Sequence, residues 1–491
     1  MLTRRQFLIK TWIGSTPVFL GSALSCRAEF LSSKSRRPNI MLVIGDDMTC
    51  EDCEPYGSKQ VRTPNMARLA REGMCFDRMF TATAMCAPTR QQLYTGMYPV
   101  RNGAYPNHSK VYDGVKSLPH YLKALGYRVG LIGKRHFGPP ASFPFETVGK
   151  NNDKKGASNT KAIAEFVNRD KQQPYCLIVC SNEPHGPWNK GDASRYKENA
   201  LTVPPYLVDC PHTRQDLIKY FAEITYLDGQ LGDCMNIVDE SDQRDNTMVI
   251  FTSEQGSSFP FGKWTCYETG LKTAFIVRWP AAVQGGTRNS ALTQYADVTP
   301  TLIEAAGGAP ETIHTGRPDT HGATGFDGRS FLDVLLGKTD KHRDYVYGAH
   351  TTRGIINGSA CYPVRSVRGD RYKYIWNPNY KSVFYNVIAT NPKDLLQTWK
   401  DIGKANPAVA ARARFYQRRP AEELYDLEKD PYELTNLAED PTYANIKARL
   451  RKELERWMRQ QGDEGNTTEF KAIERQGPNK KWTPYNPSDS G

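Results

Sequence analysis

Ile40-Met41-Leu42-Val43-Ile44, followed at once by Gly45-Asp46-Asp47, is the stretch on which the fold turns. Five apolar residues in a row show no alternation, so the segment they form is buried on both faces. A strand of a parallel sheet covered by helices meets that requirement. Three more runs end the same way. Val129-Gly130-Leu131-Ile132 leads into Gly133-Lys134-Arg135-His136, and Tyr175-Cys176-Leu177-Ile178-Val179-Cys180 runs toward Glu183-Pro184-His185. Met248-Val249-Ile250-Phe251 is followed by Thr252-Ser253-Glu254-Gln255-Gly256. Helical patterns lie between them, at Thr63–Gly73 and over 214–238. The expectation is an α/β fold with a large mixed or parallel sheet sandwiched by helices. Ligands of such sheets bind beyond the carboxyl ends of the strands. A lone Asp-Asp pair is ordinarily a turn or a cap, but here four strands bring carboxylates, Lys and His to one edge.

Composition bounds the rest. At 491 residues, 39% hydrophobic and 24% charged, the chain can bury a large core over about two or three domains, which excludes disorder and fibrous repeats. No apolar run of about 18 residues follows the first thirty positions, which excludes a polytopic membrane protein. The net charge of +12 is spread along the chain without a basic arm, so no nucleic-acid partner is expected. The 11 cysteines are too sparse for a disulfide scaffold, although some could pair after export. Cys50-Glu51-Asp52-Cys53 has no partner pair for a metal site, and Cys176 and Cys180 read as core.

Ala84-Met85-Cys86-Ala87-Pro88-Thr89-Arg90 comes next. Pro88 suits a first helical turn, which places Cys86 at a helix amino terminus, where backbone N–H groups favour an anion. A buried structural thiol is one reading of Cys86. A thiolate nucleophile whose pKa is lowered by Arg90 is another.

These residues, Cys86-x-Pro88-x-Arg90 with Leu93-x-Thr95-Gly96, resemble the type I sulfatases of the alkaline phosphatase superfamily, in which the cysteine is oxidised to formylglycine. The resemblance continues through Arg37-Pro38-Asn39-Ile40, Gly133-Lys134-x-His136, Pro184-His185-x-Pro187-Trp188, Gly262-Lys263-Trp264, Asp297-Val298-Thr299-Pro300 and Glu423-Leu424-Tyr425-Asp426-Leu427. It implies that Asp46, Asp47, Glu254 and Gln255, with modified Cys86, hold calcium, with magnesium as the alternative. It implies further that one hydroxyl of hydrated formylglycine attacks sulfur and that deprotonation of the other expels sulfate. Arg90 and Lys134 would hold the hydrate and carboxylates, and His136 would accept the hydrate proton. His185 and Lys263 would bind sulfate and protonate the leaving group. Two departures stand out: Thr89 replaces the usual Ser, and Glu254-Gln255 replaces Asp followed by Asn or His.

Thr3-Arg4-Arg5-Gln6-Phe7-Leu8 resembles a twin-arginine export motif, so residues 1–28 are expected to be a signal segment read by the twin-arginine translocase. The implied destination is periplasmic or secreted, with lipid attachment at Cys26 as a variant. Residues 36–344 are the expected catalytic domain, and 345–470 a smaller antiparallel sheet with a helix over Asn445–Gln461. A polar tail is expected at 471–491. The implied partners are a sulfated carbohydrate and a formylglycine-generating maturation enzyme. Short matches such as Val203-Pro204-Pro205-Tyr206 resemble the sulfamidase branch, and His108, His350 and Arg353 are candidates to line the sugar pocket. The alternatives are a phosphoesterase of the same superfamily, or a non-catalytic sulfoglycan-binding protein if Cys86 stays unmodified.

Overall fold

A central strand, β1 (Asn39–Gly45), organises the molecule. In chain order it is joined by β2 (Met74–Phe76), β3 (Arg128–Gly133), β4 (Glu146–Thr147), β5 (Tyr175–Cys180), β6 (Thr247–Ser253), β7 (Phe275–Arg278) and β8 (Thr287–Asn289). The spatial order is β8-β2-β7-β6-β1-β5-β3-β4. Strands β6, β1, β5, β3 and β4 run parallel, and β7 is antiparallel to both β6 and β2. The expected mixed sheet is therefore present. The computed structural model describes residues 37–150, 156–390 and 393–476. The export segment with Cys26 lies outside the described residues.

Each strand feeds two cores, as the continuous apolar runs require. Met41 and Val43 face one side with Leu177, Val179, Val249 and Phe251. That layer is closed by helices α1 (Pro64–Glu72), α3 (Thr160–Asn168) and the 29-residue α4 (Pro211–Asp239). Ile40, Leu42 and Ile44 face the other side with Ile178, Met248 and Ile250. Here α2 (Cys86–Thr95) and α5 (Val298–Ala305) supply Leu93, Tyr94, Val298 and Leu302. Each large apolar side chain so buried contributes about 1.5–3 kcal/mol.

Register decides where the chemistry falls. Ile44 pairs with Cys180 on one side and Thr252 on the other, and Cys180 pairs in turn with Gly133. Four strands thus end level, and the polar residues after each of them meet at one edge.

The carboxyl-terminal part is a four-stranded antiparallel sheet of β9 (Val346–His350), β10 (Val364–Arg368), β11 (Tyr372–Trp376) and β12 (Glu422–Asp426), in that order. Between β11 and β12 stand helices α6 (Leu395–Gly403) and α7 (Pro407–Gln417). The amphipathic α8 (Ala444–Gln461) packs Leu450, Leu454 and Trp457 on the sheet, with Trp457 stacked 4.8 Å from Tyr347. This sheet is anchored to the catalytic part by Ala349 N donating to Ala82 O at 2.7 Å and Gln294 Nε2 donating to Tyr347 O at 2.6 Å.

One boundary moves. A last helix, α9 (Asn466–Gln476), runs through the first residues of the expected polar tail. Its Ala472 is buried against Val100 and Tyr105, and Arg475 Nε donates to Gly103 O at 3.0 Å. Single apolar residues spaced for a helix face were hidden by polar neighbours in that stretch. No described helix is long and apolar enough to cross a membrane.

Candidate active site

The level strand ends assemble the site. Asp46 and Asp47 follow β1, and the backbone ties them to their neighbours: Asp46 N donates to Glu183 O at 2.9 Å, and Glu254 N to Gly45 O at 3.1 Å. Asp47 takes a left-handed φ of 67°, which Asp tolerates better than most residues. Gly133 closes β3 at φ 90°, and a Cβ there would stand 2.0 Å from Cys180 O. Only glycine fits, and the chain then delivers Lys134 and His136 to the same edge.

Cys86 is the first residue of α2, as Pro88 predicts. Its Sγ lies 4.0 Å from Asp46 Oδ1 and 3.6 Å from Gln255 Nε2. Ligand atoms of Asp46, Asp47, Cys86 and Glu254 all lie within 4.8 Å of one another. Arg90 Nε is 2.5 Å from Glu254 Oε2, with both side chains buried. Lys134 Nζ pairs with Asp46 and reaches Glu254 Oε1 at 3.4 Å. Lys263 Nζ is 2.6 Å from Asp47 Oδ2, and His185 Nε2 is 3.7 Å from the same oxygen. Every residue expected in the metal and catalytic set therefore falls in one cluster, His136 entering it through Lys134 and His108.

The electrostatics fit a divalent cation. Burial, and then the neighbouring Glu254, push the Asp46 carboxyl well above its ordinary range. Burial works against charge on Glu254 as well, but Arg90 and Lys134 outweigh it and hold that group well below its usual value. Asp47 is likewise lowered, burial being overcome by Lys263 and His185. The three buried carboxylates are matched one for one by Arg90, Lys134 and Lys263, and Gln255 Oε1 is buried without a hydrogen-bond donor. A cluster of hard oxygens with a spare acceptor is the donor set that calcium or magnesium takes.

The thiolate reading of Cys86 fails. Burial, then Glu254, push its thiol up to about 12. Arg90, expected to lower it, spends its guanidinium on Glu254, on Lys134 O at 3.1 Å and on Cys180 Sγ at 3.0 Å. Cys180 is therefore a partner of the site as well as core, a role its apolar neighbours in the sequence hide. The ten described cysteines form no disulfide, and the Cys50 and Cys53 thiols are both buried.

His136 and His108 meet at 2.8 Å, Nε2 to Nδ1. Burial and then Lys134 lower both, His108 to about 4 and His136 well below its usual value, so both rings are neutral at pH 7. His108 thus stands exposed beside His136 at the mouth of the site. His350 does not. It is wholly buried inside β9, edge-on to Phe384 at 5.5 Å, and cannot touch a sugar. Arg353 shares a loop contact with the site through its carbonyl, which accepts from Asn107 N at 3.2 Å. Thr89 turns its hydroxyl away from Cys86, onto Thr81 Oγ1 at 2.9 Å and Thr83 O at 2.5 Å. Ser258, which no sequence signal marks, donates to Asp47 Oδ2 at 2.8 Å.

The sulfatase family model matches residues 38–309, more than half of the chain and all of the strand ends just described. This chain belongs to the sulfatase family. A second model, described as the C-terminal region of N-sulphoglucosamine sulphohydrolase, matches residues 256–402 and 411–460 of this sulfatase. An ulvan-active sulfatase of Formosa agariphila is 35% identical over 441 residues, covering 88% of this chain and 82% of that one. Human N-sulphoglucosamine sulphohydrolase is 26% identical over 471 residues, covering 87% and 90%. Among solved structures, one in complex with its substrate D-glucosamine-2-N,6-O-disulfate superposes with a TM-score of 0.65 at 21% identity, covering 88% of this chain and 99% of that one. A phosphonate monoester hydrolase of Agrobacterium radiobacter gives 0.64 at 18% identity, covering 87% and 96%. At those identities the two structures speak for the fold alone, which is alkaline-phosphatase-like. Family membership makes the chain a sulfuric ester hydrolase.

Proposed function

We propose that this sulfatase carries formylglycine at position 86, binds calcium beside it and removes sulfate from a sulfated carbohydrate after export by the twin-arginine route. The observation that carries the reading is the seat of Cys86, at the start of α2 and within reach of Asp46 and Gln255. A formylglycine hydrate would supply a nucleophilic oxygen there and a second hydroxyl to lose a proton as sulfate leaves. Asp46, Asp47, Glu254 and Gln255 would hold the calcium, which would supply positive charge for sulfate oxygens.

The chain's own residues do the remaining work. Lys134 and Lys263 bring two ammonium groups to the carboxylates, so a sulfate placed between them meets donors in a water-poor site. His136 is neutral, with Nδ1 buried and without a partner; burial and Lys134 disfavour its protonated form, so as the acceptor of the hydrate proton it would act as a weak base that passes the proton on. His185, 43% exposed beside Asp47, is the group we assign to return a proton to the leaving sugar oxygen. Arg90 touches no solvent and holds Glu254 in place.

The C-terminal family match and the human relative favour N-sulfated glucosamine, in line with the sulfamidase-like motifs. The more similar ulvan-active relative favours ulvan instead. Turnover of N-sulfoglucosamine beside 2-O-, 3-O- and 6-O-sulfated sugars separates the two, and activity confined to O-sulfates rejects the N-sulfatase branch. The mass of the peptide containing residue 86, isolated from the native host, tests the nucleophile: it should be lower by about 18 Da. An unmodified cysteine in active enzyme rejects it, and stoichiometric zinc without calcium or magnesium rejects the metal.

A further inference from the structure

A second concentration of positive charge stands well apart in sequence from the catalytic set. Residues 395–420 contain six Lys or Arg side chains and a single acid, Asp401. Helices α6 and α7 fold this segment into a hairpin, and a cleft of about 420 Å³ opens on it. Lys400, Lys404, Arg414 and Arg418 line the cleft together with Tyr385 and Gln417.

The arrangement is electrostatically unfavourable as it stands. Lys400 and Lys404 are one helical turn apart, and like charges at that spacing repel, while Arg414 in α7 and Arg418 just past its end line the same cleft. Lys404 has Asp401 at 2.8 Å. Lys400, Arg414 and Arg418 form no ion pair among the described residues. Lys400 is half-buried, and burial alone draws its ammonium below the usual lysine range. The two helices pack closely at their turn, where Gly403 lets them approach: a Cβ there would lie 2.9 Å from Ala410 Cα. Four cations line one cleft, three of them without an ion pair among the described residues, which suits it to an anionic ligand.

Two facts set the cleft apart from the shared machinery. The C-terminal family model is interrupted at residues 403–410, the turn that closes the hairpin. In addition, α7 uses another face to hold the catalytic loop, where Arg412 lies 3.7 Å over the Phe261 ring and Tyr416 meets that ring edge-on at 5.2 Å. Lys263 follows two residues later. One helix thus supports the site on one side and walls the basic cleft on another.

We propose that the α6–α7 cleft is a second saccharide-binding site, which holds sulfate or carboxylate groups of a polyanionic chain away from the group being hydrolysed. The identity of the ligand rests on the sulfated-carbohydrate reading above. The site favours polymeric over small substrates, because binding in the cleft raises the local concentration of neighbouring sulfates at the catalytic centre.

The experiment uses full-length protein carrying Cys86→Ala, so that ligand is bound and not consumed, at about 0.15 M salt. Dextran sulfate is titrated in, with unsulfated dextran and inorganic sulfate as comparisons. Lys400→Gln, Arg414→Gln and Arg418→Gln together should weaken dextran sulfate binding by roughly tenfold. Neutralising three exposed lysines elsewhere, Lys116, Lys161 and Lys197, should change it by less than about twofold. With Cys86 intact, the cleft triple variant should hydrolyse a small aryl sulfate at the parent rate. Equal losses from both triples would reduce the effect to diffuse charge and overturn the site, as would no loss from the cleft triple. Binding of unsulfated dextran as tight as that of the sulfated polymer overturns it too, and so does full displacement by a few equivalents of inorganic sulfate. If mature parent enzyme leaves aryl sulfate intact, the catalytic reading fails while the binding comparison still judges the cleft.

Discussion

The two halves of the active site are built by different means. Asp46, Asp47, Glu254 and Arg90 have side chains no more than 1% exposed, fixed to strand ends and a helix start by ion pairs and backbone bonds. Lys134 at 18% and His185 at 43% face outward from loops, beside His108 and His136. The difference teaches where precision is needed. Metal and nucleophile must be held before substrate arrives, which a sheet edge does well, whereas groups that meet a departing sugar need access to solvent.

The largest effect should come at the junction of the halves. Cys86→Ala should fold and bind sulfated ligand yet lose turnover by roughly 10⁴-fold or more. Turnover close to the parent rate in the purified variant would place the nucleophile elsewhere. Next, Arg90→Met removes the partner of a wholly buried carboxylate and should cost about 3–5 kcal/mol in urea unfolding. A loss below about 1 kcal/mol would mean that Glu254 is held from the open side, which would erase the contrast drawn here. Glu254→Ala should reduce calcium content and activity together, and retention of either one alone separates metal binding from catalysis.

The open half should announce itself through pH. His108 is pushed to about 4, whereas in the unfolded chain it titrates near the ordinary histidine value of about 6.5. Between those values the unfolded state binds more protons, so stability rises with pH across that window. His108→Asn should flatten the rise, as measured by thermal unfolding at intervals from pH 4 to pH 7; an unchanged slope assigns it to other groups. The smallest effect is expected at His350→Gln, which should leave the Michaelis constant for any sulfated sugar within about twofold. A large increase would show that the β9 end opens to substrate.

The same contrast explains what could be read in one dimension. Apolar runs such as Ile40–Ile44 carry their own burial requirement, so the sheet and its polar edge were legible. Pro88 marks the start of α2 in the same local way. The open half depends on contacts between distant loops, such as Asn107 with Arg353 and His108 with His136, and no local pattern encodes them. His350 shows the cost of reading polarity alone, for a histidine in a strand looks the same whether it faces a pocket or a core. Cys180 shows the reverse error, because an apolar run conceals a thiol that meets Arg90.

Strand β1 lies in the middle of its sheet, yet its neighbours β5 and β6 are made long after it. Glu254, one wall of the pocket, leaves the ribosome about 170 residues after Cys86, which at about 5–20 residues per second takes roughly 10–30 s. Through that interval the thiol lacks the elements that later bury it. Topology thus sets a clock: under the function proposed above, an enzyme maturing Cys86 would have its access before the fold closes, since the folded chain seals the cysteine at 4% exposure.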